Sequence, residues 1–140
     1  MADRRGPEVG DVWRYPFLWS REAQRGETEG RKPRPVALTL LTRNAAGELE
    51  VLMAPITSQP PGDNPFVMEV PDIEKRRAGL DPRLDLWVVA DEANADLPER
   101  SFYFEPDARL GAFSLQFTKA VQRLMIEAVR ARKLKRTGRR

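Results

Sequence analysis

The sequence predicts a mainly β fold, a small and strongly curved barrel closed by one C-terminal helix. Three observations carry that expectation. Short apolar runs of strand length alternate with turn signals through most of the chain. Only one long segment repeats its apolar residues at three- and four-residue steps, and it comes last. The 140 residues suit one domain, because dividing them would leave two cores too small to stand alone.

In chain order, Val9 to Phe17 mixes Val, Trp, Tyr and Phe with polar positions and reads as a first strand ended near Pro16. Ser20 to Arg34 is charged, contains Gly26 and Gly30, and is expected to be a long exposed loop. Loops of that length in small domains are often functional. Pro35 to Thr42 and Leu49 to Ala54 form a hairpin around the turn Asn44-Ala-Ala-Gly47. Pro60 to Pro65 is loop, Phe66 to Val70 a short strand, and Pro71 to Arg77 a single helical turn stopped by Gly79. Leu84 to Ala90 is the most strand-like run. Phe102 to Phe104 and Leu110 to Phe113 are expected to form a second hairpin. Ser114 suits an N-cap, and Phe117, Val121, Leu124, Met125 and Ala128 make one helical stripe. Residues 1–8 and 131–140 are expected to be flexible flanks of the single domain spanning 1–140.

Composition narrows the chemistry. The hydrophobic share is 41% and the charged share 32%, which is ordinary for a globular chain. There is no cysteine, so neither a disulfide nor a thiolate site can form. There is no histidine, so the side chain best suited to proton exchange near neutrality is missing. Catalysis would have to run on Arg, Lys, Asp, Glu, Ser, Thr or Tyr, and neither cofactor nor metal is expected. No run approaches ~18 apolar residues, and Met1 to Arg5 leads into no apolar segment, so a cytoplasmic protein without membrane span or signal peptide is expected. The net charge is +3, yet seven cations and no acid lie between Arg130 and Arg140, which leaves residues 1–129 at −4. The basicity reads as a tail property, adding unspecific phosphate affinity from a frayed helix end.

Several segments, in order, resemble the MazF/PemK toxin family. Gly10-Asp11-Val12-Trp13 is similar to the family's Gly-Asp-Val/Ile opening, and Arg34-Pro35-Val36 to its Arg-Pro-x-(Val/Leu) strand start. Ala54-Pro55-Ile56-Thr57-Ser58-Gln59 looks like its Pro-(Ile/Leu)-Thr-(Ser/Thr) element, and Gly111-Ala112-Phe113-Ser114 echoes its closing step. The resemblance spans roughly residues 9–130. It implies an SH3-like barrel, a homodimer, an antitoxin protein as partner, and cleavage of single-stranded RNA without a metal. In such chemistry the RNA's own 2′-OH attacks, and the protein supplies charge stabilisation and proton transfer.

Carried over by motif, Arg34 is the guanidinium on the phosphate and Thr57 the orienting hydroxyl, with Asp91 or Glu92 as the proton acceptor. Glu27 or Glu29 corresponds to the family glutamate, and Ser58, Gln59, Asn94 and Trp19 complete the candidate substrate contacts. The chain departs from the family's (Asp/Glu)-Gln-x-Arg element, since Asn94 stands where an arginine is expected. Plainer roles remain open for the same residues. Arg34 could be a surface cation, Thr57-Ser58 a turn cap, and Asp91 to Asn94 a solvated loop. Trp13 and Phe17 could face the core, leaving Trp19 beside Arg21 for base stacking. The reading is therefore a growth-inhibiting endoribonuclease of a toxin–antitoxin pair. Its alternatives are a non-catalytic PemK-like domain binding nucleic acid or a protein, and, more remotely, a DNA-binding accessory protein using the basic tail.

Overall fold

The computed structural model describes residues 6–27 and 32–139. Its elements run β1 (Asp11–Tyr15), α1 (Ser20–Gln24), β2 (Arg34–Arg43), β3 (Leu49–Thr57), β4 (Val67–Glu69), α2 (Asp72–Arg77), β5 (Trp87–Val89), β6 (Glu92–Asp96), β7 (Arg109–Ala112), α3 (Leu115–Arg130) and β8 (Lys135–Gly138). The fold is mainly β with one long C-terminal helix, as the sequence predicts. The sheet order is β4-β5-β3-β2-β1-β7, with β6 added beside β3 and β8 beside β6. All pairs are antiparallel except β6–β8. Among the described residues no ladder joins β7 back to β4 or β8, so hydrogen bonding leaves the sheet open rather than closed into a barrel.

Period-two alternation explains how one sheet buries both faces. Val12, Ala37, Ala54, Ile56 and Ala93 point to the side covered by Phe117, Val121 and Met125 of α3. Their neighbours Trp13, Tyr15, Val36, Leu38, Val51 and Met53 point the other way, into a second core closed by Phe104. Phe104 stacks on Trp13 with ring centroids 4.7 Å apart, and the Trp13 indole N–H donates to Glu105 O at 2.7 Å. Trp13 and Phe17 thus take the core role considered for them, and Tyr15 joins them. The helix starts where expected, with the Ser114 hydroxyl accepting from Phe117 N at 3.1 Å. Glu74 of α2 receives both the N–H and the hydroxyl of Ser114, at 2.8 and 2.7 Å, and so ties the two helices together. Gly111 has no room for a side chain, because a Cβ there would meet Arg77 O at 2.5 Å.

Four expectations change. Ser20 to Gln24 is a helical turn, not loop. Phe102 to Phe104 form no strand, and β7 pairs with β1 instead of making a local hairpin. Asp91 to Asn94 is not a solvated loop, since β6 begins at Glu92 and every residue from Asp91 to Asp96 is buried. The basic tail holds a strand: Glu92, Ala93, Asn94 and Ala95 pair in parallel with Lys135, Arg136, Thr137 and Gly138. Within that segment Arg136 reaches Glu50 at 2.7 Å, and Arg139 is buried, with a guanidinium N–H donating to Pro16 O at 3.1 Å.

The bend that places the site lies in β3. One edge of β3 pairs with β2, while the other is shared by β6 and β5. From Ile56 to Met53 is three steps on β3, but their partners Val88 and Asn94 are six apart. The surplus bulges out around Ala90-Asp91, as extra residues in a ladder must. The Pro60–Pro65 loop packs into this bulge, with Asn64 Nδ2 donating to both Asp91 oxygens at 3.2 Å and Ala90 N to Phe66 O at 2.8 Å.

Candidate functional site

β6 reads Glu-Ala-Asn-Ala-Asp, and alternation sends Ala93 into the helix-side core and the three polar residues to the other face. There they grip the end of β1 and the start of α1. The Asn94 side chain accepts from Leu18 N at 2.8 Å and donates to Leu18 O at 2.7 Å. Glu92 accepts from Ser20 N at 3.1 Å and from the Ser20 hydroxyl at 2.7 Å. Asp96 accepts from the Tyr15 phenol at 2.6 Å and from Ser101 Oγ at 2.5 Å. Burial, then the Asp96 hydrogen bond and charge, push the Tyr15 pKa above the ordinary tyrosine value, with Arg139 opposing. The phenol therefore stays a donor. Its contribution is fully present below about pH 10 and is lost as alkali favours the unfolded, ionised chain.

These contacts hold Trp19 at the edge of the fold. One turn later Glu22 reaches back, and its Oε1 accepts from Trp19 N at 3.0 Å. The Trp19 ring sits edge-on to Phe17, centroids 5.3 Å apart. Two guanidiniums approach its ring: Arg21 at 4.9 Å and Arg34, from the start of β2, at 5.4 Å. Phe17, Trp19, Arg21, Glu22, Lys32 and Arg34 line a cleft of ≈ 250 Å³. Among the described residues, three cations and one buried carboxylate line it. Burial lowers the Arg34 pKa and Glu22 raises it, with Arg21 lowering it further. An arginine remains charged under such a shift, so Arg34 is a cation whose partly desolvated charge favours an incoming anion.

None of the other described candidates lines this cleft. Thr57 lies at the same end of the β2–β3 ladder as Arg34, but the last ladder pair is Val36 with Pro55. Beyond it the strands part, Arg34 pairing with Tyr15 and Thr57 with Trp87. By alternation both side chains leave the same face of the sheet. The Thr57 hydroxyl accepts from Gln59 N at 3.0 Å, the turn cap considered for it, while Ser58 and Gln59 are exposed on that turn. Glu27 follows α1 outside the cleft, 3.8 Å from Arg25, and Glu29 lies outside the described residues. Asn94, a candidate substrate contact, is 0% exposed, and both ends of its amide hold Leu18. Both Glu92 oxygens receive hydrogen bonds from Ser20. Asp91 is tied to Asn64. Among the described residues no three carboxylates gather as a metal site would require.

No protein-family model matches the chain, and no curated protein matches it. The site is thus read from its own geometry.

Sequence reasoning missed Glu22, Lys32 and the pairing of Arg21 with Arg34. The signal available was Glu22 three residues after Trp19, the spacing at which a carboxylate returns to cap a helix start. Asn94→Ala leaves the Leu18 N–H and C=O buried without partners, at roughly 1–3 kcal/mol each. Urea unfolding should show a loss of about 3 kcal/mol, while Ser58→Ala and Gln59→Ala stay within about 0.5 kcal/mol. An Asn94→Ala protein as stable as wild type would show that the amide does not hold the segment.

Proposed function

We propose that this chain binds single-stranded RNA in the Trp19–Arg34 cleft and cuts it by attack of the 2′-OH, the activity that its resemblance to MazF/PemK toxins implies. The observation that supports this reading is the convergence of Arg21 and Arg34 on the Trp19 ring, in a cleft that Lys32 and, among the described residues, one carboxylate, Glu22, also line. A phosphate suits the cations and a base suits the ring.

In this reading Arg34 bears the phosphate charge that builds in the transition state. Glu22, rather than Asp91 or Glu92, takes the proton from the 2′-OH, because it is the carboxylate that lines the cleft. The 2′-oxygen forms its bond to phosphorus as the bond to the 5′-oxygen breaks. The leaving oxygen takes a proton from solvent in this open cleft. The products are a 2′,3′-cyclic phosphate and a 5′-hydroxyl. Thr57, with its oxygen already accepting from Gln59 N, has its O–H to donate to a phosphate oxygen. An SH3-like curvature, an antitoxin as partner and a cytoplasmic growth-inhibiting role belong to the same proposal.

A homodimer belongs to it too, and half-exposed Leu40, Ile126 and Val129 beside Leu52 and Leu134 offer it an apolar strip. Sedimentation at micromolar concentration should show a dimer that Ile126→Lys dissociates; a wild-type monomer would remove this part of the reading. For the chemistry, purified protein is incubated with a long RNA in EDTA and the end groups are read. Arg34→Ala should lose about 100- to 1,000-fold in rate. Glu22→Gln should lose about 100-fold or more while still binding RNA, because the amide keeps the shape and drops the base. Binding without cleavage by wild type would select the non-catalytic alternative, a nucleic-acid-binding domain.

A further inference from the structure

The loop after β6 is fastened on both sides of a residue that it leaves in solvent. Ser101 Oγ donates to buried Asp96 and accepts from Tyr103 N and Phe104 N at 2.9 and 3.0 Å. Phe104 anchors in the core against Trp13. Between these fixed points the Phe102 side chain is 89% exposed. Its ring stands edge-on to Tyr103, centroids 5.7 Å apart at 83°, and Tyr103 in turn lies under the Arg139 guanidinium at 4.0 Å. A large apolar ring held outward by a fastened loop gains nothing for the fold. A ligand that stacks on it gains a surface already in place.

The surroundings indicate which ligand. Phe102 and Tyr103 line a second cleft, of ≈ 260 Å³, with Arg14, Pro16, Pro33, Ala108 and one acid, Glu105. Pro33 lies between Lys32 and Arg34, and Pro16 precedes Phe17, so residues adjacent in sequence line the two clefts. Each cleft offers an aromatic face and an arginine. That pairing, repeated in two clefts whose linings adjoin in sequence, is what a strand of alternating bases and phosphates requires.

We propose that Phe102 and Arg14 form a second nucleotide subsite, in which Phe102 stacks a base of the same single strand whose phosphate sits at Arg34. The inference rests on the RNA-binding reading of the first cleft. It assigns length preference to the loop: a strand too short to reach from Arg34 to Phe102 gains nothing from Phe102.

Binding is measured by fluorescence anisotropy with 2′-O-methyl RNA, which cannot be cut, in strands of about three and about ten nucleotides. Wild type should bind the longer strand more tightly. Phe102→Ala should weaken that strand roughly 5- to 100-fold, the worth of one stacked base, and leave the short strand unchanged. Phe102→Trp should restore the long-strand affinity, and Arg34→Ala should weaken both strands. Equal binding of both lengths by wild type, or a long strand indifferent to Phe102→Ala, overturns the subsite, leaves the first cleft standing and points to a protein contact at Phe102. Failure of wild type to bind either strand removes both.

Discussion

Three side chains facing one way from β6 hold the segment on which the candidate site is built. Glu92, Asn94 and Asp96 reach across to Ser20, Leu18 and Tyr15, more than seventy residues earlier in the chain. A backbone turn leaving a strand toward a short helix has N–H and C=O groups that no ladder satisfies. Here side-chain groups satisfy them, at a buried location where each unmet group would cost free energy. The gain is a fixed direction for Trp19 and a fixed start for α1, and with them the cleft that Arg34 completes from β2.

The bulge between β5 and β6 is the second constraint. Without the extra residues at Ala90-Asp91, a continuous partner of β3 would carry a different set of side chains toward Leu18. β8 then covers the outer edge of β6, which would otherwise be open to another strand. The basic tail is therefore part of the structure that supports the site. Its Arg139 packs against Tyr103 and bonds Pro16 O, two residues that line the Phe102 cleft.

Much of this was legible from sequence where local patterning governs. The hairpin around Asn44–Gly47 and the helix capped by Ser114 follow from turn chemistry and periodicity, and both are found. β6 was not legible. Glu-Ala-Asn-Ala-Asp has weak strand propensity and polar residues at alternate positions, and its burial depends on partners that lie far off in the chain. Arg34 and Trp19, both expected in one candidate site, do lie together, with the guanidinium 5.4 Å from the ring centroid. The burial of Asn94 was not legible, because position in a motif says nothing about which way an amide faces. Glu22 escaped notice because its segment looked like open loop, and only the turn of α1 brings its carboxylate beside Arg34. Lys135 to Gly138 read as loose cations, since nothing local in a run of basic residues specifies a parallel partner.

The central claim is that side chains of β6, and not a backbone ladder, fix the strand-to-helix segment. Native-state hydrogen exchange of the Leu18 amide tests it most directly, because that N–H has Asn94 as its acceptor. The account predicts that Leu18 N–H exchanges as slowly as the ladder amides of β2, through openings close to global unfolding. Exchange of Leu18 at the rate of the exposed Ser58–Gln59 turn would contradict it, and the cleft would lose its fixed wall.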